Sequence, residues 1–453
     1  MADPPPRGGR FLLPVPEGEA ASLARGWLQL GVAALVASGL FSILLVLSRT
    51  PALQEIIPWI DFFHVALVVH VDLSVLIWFL AFAGVLWNLE GSRAARSSGR
   101  LALMLAAAGT GMIAISPFAG AGDPVMNNYV PVLNHPLFFT GLALFGTGFA
   151  LLVARTLFVT TTTATDAPLQ LALRLAALVA AISLAALLWS GLRIAPAGDD
   201  RAYFELLFWG SGHILQFTHT LLLLVVWLWM ASACGAKIPL SPRGASALFG
   251  LVTLPALLAL PIYLLWDVGS AGYRIAFTRL MEFGGLAAIP LGAAAVYGLL
   301  RATRTLTPGL RPVRAALLAS MLLFTTGGIL GFMIRGVNVV IPAHYHGSIV
   351  GVTLAFMGLS YYLLPRLGYA QPAVRLATVQ PWIYGGGQLL HIAGLAWSGG
   401  YGVQRKTAGL AQGLDSLEKI IGMGMMGLGG LIAIVGGLLF VVVALGAMWR
   451  GRD

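Results

Sequence analysis

Residues Ile341–Leu364 read IPAHYHGSIVGVTLAFMGLSYYLL. The run is apolar and long enough to cross a bilayer as a helix, and it carries His344 and His346 at its start. An imidazole within lipid is costly without a partner, so a histidine there marks a candidate functional site. At spacing i, i+2 the two rings point about 200° apart around a helix. One helix then presents an imidazole to a group on each of two opposite sides. On this stretch alone two readings stand open: interface histidines bonded to backbone carbonyls, or a pair of ligands.

The rest of the chain has the same character. Its 453 residues are 58% hydrophobic and only 10% charged, whereas a soluble protein carries about a quarter charged residues. Twelve apolar runs of spanning length are expected, at 27–48, 63–89, 100–119, 137–159, 171–193, 205–234, 246–270, 276–301, 314–335, 341–364, 380–400 and 424–449. This defines an all-α polytopic membrane bundle: one twelve-helix domain over 27–453 behind a tail, 1–26. Lipid is the first partner. The single cysteine, Cys234, excludes an internal disulfide framework and a cysteine-ligated iron–sulfur cluster. The first twenty residues, rich in Pro, Gly and charge, do not read as a signal peptide, so the first span is expected to direct insertion.

The formal charge of +10 fits positive loops on one side of a membrane and gives no reason to invoke nucleic acid. Twelve spans put both termini on one side. That side carries 18 of the 27 Lys and Arg residues, from Arg7 and Arg10 to Arg450 and Arg452, leaving 9 opposite. The positive-inside rule makes the termini cytoplasmic, in a bacterial inner membrane.

The eight histidines then fall in one layer. His64 and His70 lie early in span two, His135 before span four, His213 and His219 in span six, His344 and His346 in span ten, and His391 in span eleven. With even spans running outside to inside, all are expected in the outer half of the membrane. Scattered packing histidines give no such layer. Metal centres near the outer face do, because neutral imidazole is a common ligand of haem iron and copper.

Three motifs carry a resemblance that covers nearly the whole chain. AHYHGSIVG followed by LAFMGLSYYLLPRLG, HVDLSVLIWFLAF, and GYGVQRKTAG together resemble subunit I of the haem–copper oxidase superfamily, which includes cytochrome c oxidases and nitric oxide reductases. The resemblance implies two haems, b-type or related. His70 and His346 would be the axial ligands of a low-spin haem, and His344 the proximal ligand of a second. Arg405 and Lys406 would hold propionates through charge-assisted bonds.

FWGSGHILQF resembles the sixth helix of the family and puts His213 where a copper ligand belongs. Here the match stops. The tyrosine expected four residues later is Phe217, and no histidine occurs between His219 and His344. The family's adjacent pair would fall near Leu264, Leu265 or Trp266. A copper centre needs about three imidazoles or comparable ligands, so a complete one of the family type is not expected. The residues nearest the second haem's reactive side would be His213, Gln216 and His219.

The other polar residues have plainer readings. Asp72 is a candidate proton relay or ion-pair member, Glu282 is expected to pair with a nearby arginine, and His135 to open a helix. The glycines of GMGMMGLGG read as close helix packing. No convincing proton channel is visible.

Two functions remain. One is a respiratory haem oxidoreductase passing electrons from the low-spin haem to a second haem that reduces O2 or NO. The other is a di-haem electron-transfer subunit without catalysis of its own, linking quinone to a periplasmic partner. This sequence has no cytochrome c attachment motif, so a cytochrome c or cupredoxin-type redox subunit is expected on another chain, with quinone as a further candidate partner.

Overall fold

The computed structural model describes residues 11–47, 62–89, 96–120, 122–159, 168–194, 198–302, 305–405 and 413–451. Lys406 lies outside them. Among the described residues the chain forms twelve long helical segments. They are α1 Glu19–Leu47, α2 62–89, α3 Arg96–Ile115, α4 Pro136–Phe158, α5 Pro168–Arg193, α6 Asp200–Ala233, α7 Pro242–Leu265, α8 271–300, α9 Arg311–Phe332, α10 Val340–Leu363, α11 Val374–Gly400 and α12 Leu417–Arg450. Eleven are long and apolar enough to cross a membrane. The twelfth, α11, is diluted by Gln380, Gln388, His391 and six glycines.

Several helices start earlier than the hydropathy suggests. α1 starts at Glu19, whose carboxylate lies in the polar first turn and accepts two bonds from Arg100, at 2.7 and 2.9 Å. α6 starts at Asp200, so at 1.5 Å per residue His213 and His219 lie roughly 20 and 28 Å along it.

The chain forms two compact units. The first comprises residues 10–225 and 240–291. Its core is the second half of α2, where every residue from Trp78 to Leu89 is buried. α1 closes on it through small residues: Gly31 lies against the Trp78 ring, and Gly84 against Trp27. α3 and α4 interlock the same way, Gly109 on Gly141 and Gly148 on the backbone of Ala102 and Ala106. Without a hydrophobic force between helices in lipid, close backbone approach is what holds such pairs. Between these helices a two-stranded antiparallel hairpin, β1 Asp123–Val125 with β2 Val132–Asn134, pairs Pro124 with Leu133. α2 is not uniform. Its stretch Asp72–Ile77 is π-helical, directly after His70; π-turns of this kind recur at functional sites.

The second unit comprises the described residues of 226–239 and 292–453. α10 is its central helix, 89% buried over its most apolar window, with every residue from Val350 to Leu363 inside. α9 meets it at Gly327 on Gly347 and at Phe324 on Gly351. α11 and α12 meet at Gly387 on Gly429 and at Gly394 on Gly422, the close packing expected of the GMGMMGLGG glycines. Gln380 of α11 ties the three together. It accepts from the Tyr361 hydroxyl of α10 at 2.9 Å and donates to the Gly436 carbonyl of α12 at 3.1 Å.

Candidate functional site

The histidines are held by one recurring device. His344 Nδ1–H donates to the Gly327 carbonyl at 2.7 Å. His213 Nδ1–H donates to the Trp209 carbonyl at 2.6 Å, and His391 Nδ1–H to the Met426 carbonyl at 2.9 Å. His70 Nδ1 lies 3.0 Å from the Ser38 carbonyl, with the Ser38 and Ser42 hydroxyls at 2.9 and 3.0 Å. A carbonyl can only accept, so Nδ1 carries the proton in each ring. That leaves the Nε2 lone pair free of its own proton. This is the tautomer an imidazole needs to ligate a metal, with the outer bond fixing the ring.

In the second unit, α9 and α10 build the His344 position together. Gly327 and Gly331 lie one turn apart on α9. The first supplies the carbonyl, and a Cβ on the second would overlap the imidazole. The spacing G-x-x-x-G in GGILG is visible in the sequence, but its purpose is not. On the other flank of α10, the rings of His346 and His391 meet edge to face at 4.9 Å between centroids. Arg405 lies in the turn after α11.

In the first unit, His70 is cradled by the two α1 serines. The Ser38→Ala, Ser42→Ala double variant is expected to lower the melting temperature, at about 1 kcal/mol per lost hydroxyl. The Ser38 carbonyl still holds Nδ1, so the optical spectrum of the purified protein should not change. Asp72 is fully buried, and neither carboxylate oxygen has a hydrogen-bond partner among the described residues. His64 is exposed. His135 caps α4, Nδ1 accepting from the Leu137 N–H at 3.2 Å. Arg279 pairs with Glu282 at 2.6 Å, as expected.

His213 is 5% exposed and boxed by three aromatics: Tyr129, Trp209 and Phe277, at 4.9, 4.8 and 5.3 Å. His219 sits edge-on to Phe79 at 5.0 Å, and its buried Nε2 has no partner among the described residues. Gln216 is exposed, whereas Phe217 is buried against Gly284.

Tyr129 was not legible as a site residue. It is delivered by the hairpin. Asn127 accepts from the Tyr129 and Val130 N–H groups at 2.9 Å. Asn128 N–H donates to Glu205 at 3.1 Å, and the Asn134 amide to Asp200 at 2.9 Å. The hairpin is thereby pinned to the first turns of α6. Desolvation holds the Tyr129 phenol well above the ordinary tyrosine range, and the charge of Glu205 adds to it, so Tyr129 is a neutral hydroxyl.

Twelve long helices, with a histidine-bearing central helix in one unit and a serine-held histidine in the other, define a polytopic helical membrane protein. Known proteins bear on it directly. The family described as Cytochrome C and Quinol oxidase polypeptide I matches residues 22–439. An uncharacterized protein of Rickettsia prowazekii (strain Madrid E) is 32% identical over 93% of this chain and 95% of its own. Another, from Aquifex aeolicus (strain VF5), is 30% identical over 76% and 85%. Among solved structures, a heme-copper terminal oxidase dimer superposes with a TM-score of 0.69 at 16% identity, over 97% of this chain and 85% of that one; this likeness is one of fold. The chain therefore belongs to the haem–copper oxidase subunit I superfamily.

Proposed function

We propose that this chain is the haem-bearing subunit of a respiratory oxidoreductase, moving electrons from a low-spin haem to a second haem where a small diatomic molecule is reduced. The observation that carries this reading is the shared Nδ1–H bond to a carbonyl, which presents the Nε2 lone pairs of His70 and His344 for iron. In the proposal His70 and His346 hold the low-spin haem and His344 the second. When bound, haem supplies reversible one-electron chemistry at iron and, where one axial position is open, a seat for O2 or NO. Arg405 and Lys406 would pair with the propionates. His213, Gln216 and His219 would face the reacting ligand, His213 as hydrogen-bond and proton donor.

Copper has no part in this proposal. Among the described residues no group of three His, Cys, Asp or Glu side chains could hold a metal ion. The electron donor would be a cytochrome c or cupredoxin-type subunit on another chain, or a quinol in the bilayer of the bacterial inner membrane.

One observation favours a second reading. His213 presents the same free Nε2 as His344. If it ligated the second iron, both haems would be six-coordinate and the chain a conduit without catalysis. Carbon monoxide separates the two. Added to the reduced, purified protein, it is expected to shift the Soret band of one haem and leave the other unchanged. No shift at all would establish the conduit, and no Soret band would end both readings.

A further inference from the structure

The C-terminal ends of α5 and α7 enclose a cavity that the haem proposal leaves unused. These helices have 26 and 24 residues, enough to cross a bilayer, so the end they share lies at its surface. Their last turns meet where Ser190 Oγ lies 3.1 Å from the Tyr263 hydroxyl. The cavity measures about 160 Å³ and is lined by Trp189 and Arg193 of α5, Tyr263 of α7, and Trp266 and Asp267 just beyond α7. It is polar and has room for several waters.

Its wall is held in place from several sides. The Tyr273 hydroxyl of α8 donates to the Tyr263 oxygen at 3.1 Å. Gly210 of α6 admits both hydroxyls, because a Cβ there would overlap their oxygens. Gly272 admits the Trp266 indole in the same way. The Trp266 N–H closes α7 on the Ile262 carbonyl at 3.1 Å, and the Asp267 carbonyl accepts from the Ser270 N–H at 3.0 Å. Gly269 supplies the left-handed φ of 96° that this turn requires. Ser270 then caps α8, its Oγ accepting from the Tyr273 N–H at 3.2 Å. Opposite this turn, the Arg193 guanidinium stacks over the Trp189 ring at 5.3 Å.

Within this frame Arg193 and Asp267 line one cavity without pairing. The ion pairs among the described residues involve neither of them. Two opposite charges held apart in one space suit a ligand that carries both. The guanidinium is built for a phosphate. Asp267 lies just past the C-terminal end of α7, where unpaired carbonyls and the helix dipole also favour a cation. The cavity's remaining neighbours are apolar. Leu264 and Leu265 line it and are largely exposed, as are Leu188 and Leu192, which flank Trp189 and Arg193 in the chain.

We infer that this cavity binds the headgroup of a phospholipid bearing a primary amine, with its phosphate on Arg193 and its ammonium on Asp267. The acyl chains lie over the exposed leucines, and Trp189 and Trp266 sit at headgroup depth. Asp267 repels a headgroup that is only anionic. A quaternary amine has no N–H to donate to the carboxylate, so it is held less well than a primary one.

Native mass spectrometry of the detergent-purified protein, titrated with lipids of identical acyl chains, reads this directly. Phosphatidylethanolamine is expected to fill one site at least about tenfold more tightly than phosphatidylglycerol or phosphatidylcholine, the weight of one charge-assisted hydrogen bond. Arg193→Gln and Asp267→Asn should each weaken phosphatidylethanolamine binding by a similar factor. Asp267→Asn should also erase the preference over phosphatidylglycerol, a change of selectivity that a merely structural role would not produce. Both side chains are exposed, so melting temperature and optical spectrum should match wild type in both variants. Glycerophosphoethanolamine has the same headgroup without acyl chains and is expected to compete at least about tenfold less well than the lipid. Equal competition would overturn the lipid assignment in favour of a soluble phosphodiester. Equal binding of the three lipids to wild type, or wild-type binding of phosphatidylethanolamine by both variants, would overturn the site. None of these results depends on the haem reading.

Discussion

Purified His344→Ala is expected to lose the carbon-monoxide-responsive haem completely, and His70→Ala to lose the low-spin haem. The reason is the number of protein bonds to each iron. In the proposed assignment, removing the single proximal imidazole would leave the second haem with no protein ligand, whereas removing His70 would leave the low-spin iron with His346 alone. Ligand removal is a far larger change than removal of an outer partner, which typically costs ten- to a hundredfold in metal affinity. Reduced-minus-oxidised spectra with and without carbon monoxide read both results. His64→Ala is the control: His64 is exposed, and both haem signals should persist. An unaltered low-spin spectrum in His70→Ala would refute the ligand assignment.

The second large effect is expected where α11 meets α12. A Cβ on Gly429 would strike the His391 backbone nitrogen and the Gly387 carbonyl oxygen. Neither can swing aside, because both belong to a helix backbone. Two residues away, Gly427 faces open space. Gly429→Ala is therefore expected to destabilise by about 3 kcal/mol or more, the upper range for overpacking a close contact. Gly427→Ala should be neutral or stabilising by up to about 1 kcal/mol, the helix-propensity difference. Thermal melts in detergent give the comparison. Gly429→Ala should also disturb the low-spin spectrum, since pushing α11 away carries His391 off the His346 ring it now meets. Equal melting temperatures for the two variants would mean that this glycine seam does not hold the helices.

The histidine and glycine variants probe different levels of what could be read from the chain. The twelve spans follow from local physics. In hydrocarbon a backbone must satisfy its own hydrogen bonds, so an apolar run of spanning length is a helix whatever its neighbours are. Even there, polar ends escaped the pattern. α1 and α6 begin at Glu19 and Asp200 because partners elsewhere in the chain, Arg100 and Asn134, stabilise their acidic first turns. α11 is polar enough to fall below the hydropathy of a span, yet it forms because its glycines and Gln380 lock it to its neighbours.

The candidate histidines were legible in the sequence and their support was not. A histidine in an apolar run is conspicuous at any position, so His70, His213, His344 and His346 stand out in the sequence alone. What orients them does not. The carbonyls of Ser38, Trp209 and Gly327 are backbone atoms that every residue possesses, and Tyr129 is an ordinary loop residue by composition. By itself the sequence determined that this chain is a membrane helix bundle of the haem–copper oxidase family, with histidines in several of its apolar runs and none between His219 and His344. The tertiary structure decided which nitrogen of His70, His344 and His391 carries the proton, because that depends on carbonyls far away in the chain, and no local pattern encodes those.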